Sequence, residues 1–192
     1  MKRERGCFRY IFYIALAVFL LYFSAGDGKE MILKQIYPMK YQEYVEKYSE
    51  EYSLDKNVVY SIIKVESNFS PEAMSNAGAK GLMQLMDKTA DECNERAGFG
   101  YIIPDDLFVP EKNIRLGCFY FKSLMEIYGD MTLAVTAYNG GTGNVEKWLK
   151  DEALADGEGG LRDIPYTETK DYVKKVMKTF ERYNRLYKTA DY

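Results

Sequence analysis

The chain has 192 residues, with 26 basic against 29 acidic side chains, 47% hydrophobic residues, three cysteines and no histidine. That length holds one compact domain plus an appendage, with ample apolar content for a core. Without histidine, Ser-His-Asp and Cys-His hydrolases, HExxH metalloproteases and classical zinc fingers are excluded, so any proton chemistry must come from carboxylate, lysine, tyrosine or cysteine.

At the N-terminus, Lys2, Arg3, Arg5 and Arg9 precede an apolar run from Tyr10 to Ala25 that holds no charge. This pattern is an export segment, and its basic flank stays inside while the remainder faces out. Two readings stand. Extending the run back through Cys7 and Phe8, with interfacial aromatics at Tyr10, Phe12, Tyr13, Tyr22 and Phe23, suits an uncleaved anchor. The small residues Ser24, Ala25 and Gly26 suit a cleaved signal peptide. The division expected is 1–28 signal-anchor or signal peptide, 29–39 linker, and 40–192 the folded domain.

Beyond residue 25 the net charge is −6, which gives the domain no electrostatic reason to seek nucleic acid or an anionic membrane face. Cys93 and Cys118 are either a disulfide, which an extracytoplasmic setting would permit, or two buried reduced thiols. The 3.6-residue apolar period dominates, so the fold class is all-α, with the N-terminal hydrophobic helix ahead of it.

The first helix of the domain is expected over Lys40 to Ser53, after Pro38. Asp55 reads as the N-cap of a second helix running to Ser67, with Val58, Val59, Ile62 and Ile63 as its stripe. Ser70-Pro71-Glu72 opens a short helical turn. Asp87 caps a helix through Arg96 that Gly98 ends, and Pro110 starts a long one to Tyr128 that Gly129 ends. Asp130 caps the next, which runs to Tyr138 and stops at Gly140-Gly141. Another spans Gly143 to Lys150, residues 156–160 form a loop, and the last starts near Thr167 with Tyr172, Val173, Val176, Phe180, Tyr183 and Tyr187 at core spacing.

One carboxylate is out of place in this pattern. Val59, Ile62, Ile63 and Glu66 fall at i, i+3, i+4 and i+7, so Glu66 ends the apolar stripe of its own helix. Partial desolvation there would raise its pKa, as a general acid requires. The bland alternative turns Glu66 outward to pair with Lys64 or Lys80.

Four blocks weigh between these readings: residues 65–71 (VESNFSP), 75–86 (SNAGAKGLMQLM), 137–141 (AYNGG) and 164–173 (IPYTETKDYV). In this order they closely resemble the soluble lytic transglycosylase family, lysozyme-like murein-cleaving domains, across roughly residues 45 to 188. The resemblance implies a lysozyme-like helical fold with a groove for a peptidoglycan glycan strand. It implies cleavage of the β-1,4 bond between N-acetylmuramic acid and N-acetylglucosamine with formation of a 1,6-anhydro end, and makes 40–192 the catalytic domain. Glu66 would be the sole catalytic carboxylate, acid first and base second, with no metal and no cofactor.

The resemblance also assigns binding roles. Gly78 and Gly81 would let the backbone approach the sugar, and Met83 and Gln84 would be presented near the groove. Ser75 would hydrogen-bond near the site, or else act as a turn hydroxyl. Tyr138 would donate to the catalytic carboxylate or to substrate and Asn139 would bind an N-acetyl group, although Asn139-Gly140-Gly141 alone reads as a helix end. Glu168 would bind peptide or sugar, while the helix dipole explains it equally. Tyr172, four residues on, lines the groove or belongs to the core. Gly140-Gly141-Thr142-Gly143 departs from the alanine and proline usual in the family, which touches rim geometry more than chemistry. A goose-type lysozyme, using water as nucleophile, and a non-catalytic wall-binding module are the competing functions.

Overall fold

The computed structural model describes residues 10–19, 27–100 and 104–187. The chain divides into two units, Met1–Pro38 and Met39–Tyr192. In the first, residues 10–19 are helical, and Tyr10, Ile11, Phe12, Tyr13 and Ile14 are exposed. Tyr22, Phe23, the Ser24-Ala25-Gly26 cleavage candidate and the basic leader lie outside the described residues. Among the described residues no helix is long and apolar enough to cross a membrane. The segment expected as a linker is helical through most of its length. Helix α1, Asp27–Ile36, carries an ion pair between Lys34 and Glu30 one turn apart at 2.7 Å.

The second unit is all-α, as the apolar periodicity requires. Helix α2 is Gln42–Glu51 and α3 Lys56–Glu66. Helix α4 is Asp87–Ala97, followed by a 3-10 turn at Pro104–Phe108. Then come α5 Pro110–Tyr128, α6 Met131–Gly140, α7 Thr142–Lys150 and α8 Thr167–Leu186. In place of strands, the described residues hold isolated antiparallel bridges, Met74 with Lys80 and Lys80 with Leu85 among them. These bridges bound the loop that carries much of the motif sequence.

Local chemistry explains the boundaries. The Asp55 carboxylate accepts from Asn57 N–H at 2.8 Å and Asp130 from Leu133 N–H at 2.8 Å, so both expected caps form. Pro110 occupies the first turn of α5, and Gly129 ends that helix in the left-handed region at φ 65°. Two expectations shift. The cap of α4 is Met86, and Asp87 sits in its first turn, because the Asp87 carboxylate takes both hydrogen bonds from Lys80 at 2.7 and 2.8 Å. Ser70-Pro71-Glu72 makes a single turn, closed by Ala73 N–H on the Ser70 carbonyl at 3.3 Å, and no helix follows it. Asn68 and Phe69 are successively left-handed, at φ 50° and 65°, and the Ala73 carbonyl is taken by Gly81 N–H at 2.8 Å, so the chain leaves along a bridged loop.

The core centres on α3, whose Val58, Val59, Tyr60, Ile62 and Ile63 are buried chiefly against α8, where Val173, Val176 and Tyr183 face them. Tyr60 and Tyr183 stack at 5.5 Å. A second cluster joins Leu85, Ala90, Cys93, Leu107 and Leu116, with Phe99, Phe119, Tyr120 and Tyr138 packed on it. Cys93 and Cys118 are free and buried, so the disulfide reading is not the one adopted. Burial pushes the Cys93 thiol up to about 11 and the Cys118 thiol further.

Candidate active site

Helix α3 carries Glu66 into the unit. Its stripe is wholly buried as far as Ile63, so the next residue on that face, Glu66, cannot turn fully to water. Burial pushes its carboxyl up to about 7, while a hydrogen bond from Tyr172 pulls the other way, and no charged neighbour contributes. The Tyr172 hydroxyl donates to Glu66 Oε1 at 2.7 Å. Two residues 106 positions apart thus meet because α3 packs on α8. The outward alternative for Glu66 fails: Lys80 is held by Asp87, and Lys64 donates to Asn68 Oδ1.

Beside Glu66, the loop of residues 81–84 is anchored from three helices. From the end of α3, Ser67 Oγ donates to the Leu82 carbonyl at 2.8 Å. From α5, Asn113 Oδ1 accepts Met83 N–H at 2.7 Å. From α6, the Tyr138 hydroxyl donates to the Met83 carbonyl at 2.7 Å. Gly81 is obligatory here. At φ +75° an added Cβ would lie 2.0 Å from the Leu107 carbonyl oxygen and 2.4 Å from Asn113 Nδ2.

This anchoring corrects three expectations. The Met83 side chain is completely buried, so it is not presented to a groove. It lies against α5 at Gly117, where a Cβ would come within 2.3 Å of its sulfur. Tyr138 does not donate to the carboxylate; its hydroxyl is committed to Met83, and Tyr172 supplies the bond to Glu66 instead. Tyr172 therefore belongs both to the core, at 7% exposure, and to the site. Gln84, left-handed at φ 48°, spends both amide hydrogens on the Ala73 and Gly81 carbonyls, at 3.0 and 2.9 Å. Its amide can offer oxygen to a ligand but not N–H.

The other expected residues lie further out. Ser75 Oγ accepts from Ala79 N–H at 3.0 Å and closes the 75–79 turn, which is the turn-hydroxyl alternative. Asn139, on the last turn of α6, and Glu168, on the first turn of α8, are exposed. The structure thus brings Glu66, Tyr172, Tyr138 and the 81–84 loop together, and leaves Asn139 and Glu168 at the surface.

Asn113 escaped the sequence reading. It is fully buried, and besides accepting from Met83 it donates through Nδ2 to the Lys80 and Leu107 carbonyls at 3.0 and 2.8 Å. The test that singles out Glu66 also finds Asn113. With Leu116, Gly117, Tyr120 and Leu124 it falls at i, i+3, i+4, i+7 and i+11, one polar residue on an apolar face. A buried amide of that kind has to be satisfied, and here it is.

Three comparisons bear on this geometry. The family described as the transglycosylase SLT domain matches residues 43–158, well over half of the chain. The chain is 31% identical over 158 residues to the soluble lytic murein transglycosylase of Escherichia coli K12, covering 81% of this chain and 24% of that protein. To the membrane-bound lytic murein transglycosylase C of Edwardsiella ictaluri it is 31% identical over 169 residues, covering 77% and 47% respectively. The crystal structure of the 70-kDa soluble lytic transglycosylase of Escherichia coli superposes with a TM-score of 0.74 at 31% identity, over 80% of this chain and 25% of that one. An inactive glutamate-to-glutamine mutant of lytic transglycosylase Slt from Pseudomonas aeruginosa gives 0.71 at 33% identity, over 78% and 24%. The chain spans about a quarter of the length of the soluble relatives it matches.

Proposed function

Because the chain belongs to the transglycosylase SLT domain family, we propose that it is a peptidoglycan lytic transglycosylase whose one reacting carboxylate is Glu66. The observation that carries this reading is the state of that side chain. Burial holds its proton to about pH 7, and the Tyr172 hydroxyl fixes its Oε1. A carboxyl protonated near neutrality and aimed by a rigid donor is what a general acid needs.

The reaction runs in two proton movements. Glu66 gives its proton to the glycosidic oxygen as the bond from that oxygen to the muramyl anomeric carbon breaks. The resulting carboxylate takes the proton of the muramyl 6-hydroxyl as its oxygen bonds to the anomeric carbon, closing the 1,6-anhydro ring and restoring the acid. One residue serves twice and the substrate supplies the nucleophile, so the second carboxylate of ordinary glycosidases has no task. The titration of Glu66 agrees with this scheme, since no other carboxylate contributes to its shift. That a relative of the same fold is inactivated by a single glutamate-to-glutamine change also supports it.

Binding would be shared between surface and loop. Asn139 and Glu168 meet the strand or its peptide from the rim, Gln84 Oε1 accepts from an amide or hydroxyl of the sugar, and the Met83 and Ser75 positions contribute through backbone placement. The apolar, base-flanked N-terminal segment would tether the domain to the outer face of the membrane, and the membrane-bound relative supports that placement.

The decisive experiment is digestion of purified murein with mass spectrometry of the products. Anhydro ends from the wild-type chain and none from Glu66→Gln are expected. Reducing ends would transfer the chain to the lysozyme-type hydrolases, and turnover unchanged in Glu66→Gln would overturn the role of Glu66.

A further inference from the structure

We propose that Asn113 is a positioning residue for the Glu66 chemistry, acting through the Met83 peptide of the 81–84 loop. The inference rests on the reading of Glu66 as acid and then base.

The loop is closed at its ends, Lys80 and Leu85 exchanging N–H to carbonyl bonds at 2.9 and 3.0 Å. Gln84 N–H reaches the Gly81 carbonyl at 3.2 Å, and Gln84 closes the turn in the left-handed region. None of these closing bonds reaches the peptide groups of Met83, so the placement of that residue comes from outside. At Met83 the outside contacts come in a pair: Asn113 Oδ1 takes the N–H at 2.7 Å, and the Tyr138 hydroxyl gives to the carbonyl at 2.7 Å. The residue is therefore clamped between α5 and α6. Tyr138 also lies close enough to Glu66 to feel its charge, as Tyr172 does. A path thus runs from the Asn113 amide through the Met83 peptide to Leu82, whose carbonyl takes a bond at 2.8 Å from Ser67, the residue that follows Glu66.

The amide is the one common group that can fill this position. Its oxygen accepts from Met83 while its nitrogen donates to Lys80 and Leu107, so both donors and the acceptor are used in one plane. An aspartate would lack both donors and bury a charge, and a leucine would strip the Met83 N–H and the Leu107 carbonyl of their bonds, the Lys80 carbonyl keeping that from Leu85 N–H. Gly81 is moulded to the same amide, with an added Cβ 2.4 Å from Nδ2, so there is no room for a longer side chain. A core asparagine kept only for stability has no need to be tied to the residue that Tyr138 holds from the other side.

The test measures turnover of purified murein by Asn113→Ala and Asn113→Ser, each assayed well below its own melting temperature. A fall in kcat of roughly 10- to 100-fold with KM within about twofold is expected, the size associated with small misplacements of a reacting group. Tyr138→Phe removes the other half of the clamp. The double variant with Asn113→Ala should therefore cost no more in kcat than the worse single one, because both act through one peptide.

A lowered melting temperature with kcat unchanged, or losses in kcat that multiply in the double variant, would overturn the proposal. Should Asn113→Ala not fold, Ser67→Ala loosens the same loop at Leu82 by one hydroxyl. It is expected to lower kcat severalfold at unchanged KM, and an unaltered kcat counts against the idea. Glu66→Gln is run alongside. If it keeps full turnover, the functional reading itself fails; if it is inactive while the Asn113 variants keep the wild-type kcat, only this inference does.

Discussion

The two halves of the candidate site are built on opposite principles. In the inner half each residue is already held by a partner: Glu66 by Tyr172, Tyr138 by Met83, Met83 by Asn113, Gln84 by Ala73 and Gly81. In the outer half, Asn139 and Glu168 stand exposed on helix ends. Groups that are satisfied and buried are set before a ligand arrives and lose little freedom when it binds. Exposed groups contribute only once a ligand orders them. The inner half should therefore govern rate and stability, and the outer half affinity.

That division breaks first at Glu66. Glu66→Gln should lower turnover by about a thousandfold, in the range that general acid-base groups supply, and murein digestion measures it. The same change has a thermodynamic signature. A carboxyl whose folded pKa is about 7, raised by burial, penalises the folded state increasingly as pH rises from the unfolded value near 4.5 through 7. Glu66→Gln should therefore stabilise the domain at pH 8, by at most about 3 kcal/mol, and the gap should close below pH 4.5. Thermal melts across pH check the sign.

Met83→Ala comes next. A buried methionine truncated against α5 is expected to cost about 2–5 kcal/mol, whereas a side chain serving a groove would cost affinity at unchanged stability. Denaturant unfolding separates the two. Tyr172→Phe removes the one bond that draws the Glu66 pKa downward. The basic limb of the kcat/KM profile should move to higher pH, with kcat lower by about tenfold as the acid loses its alignment. A limb that stays in place would sever Tyr172 from the titration. Asn139→Ala should have the smallest effect, a severalfold rise in KM with a melting temperature shift equivalent to less than about 0.5 kcal/mol. A large loss of stability there would erase the distinction between the halves.

Much of this arrangement is legible in the sequence where the signal is periodic or local. The helices follow from apolar spacing and capping residues, and Pro110, Gly129, Asp55 and Asp130 sit at their expected boundaries. Glu66 stands out because a carboxylate on an apolar stripe breaks a period. What fails is direction inside the loop. Between Gly81 and Leu85 no period of 3.6 or 2 applies, so nothing in the letters says that Met83 points inward while Gln84 turns its amide onto backbone carbonyls. Long-range pairing is equally silent. Tyr138 meets Met83 and Tyr172 meets Glu66 across 55 and 106 residues, and the choice of which tyrosine serves the carboxylate depends on how α6 and α8 pack. Asn113 was within reach of the periodic argument, since a lone amide on the buried face of α5 breaks the pattern as Glu66 breaks that of α3.

The two buried thiols have a practical consequence. Cys93 and Cys118 are unbridged, inaccessible and held protonated by their surroundings, so residues 39–192 need no oxidation step to fold and offer electrophiles almost nothing to react with. A cysteine introduced on the exposed rim, at Asn139 for instance, would then be the one reactive thiol of that unit. A single fluorophore placed there would leave the native sulfurs untouched and would test the proposed meeting of Asn139 with a glycan strand by its response to added murein fragments.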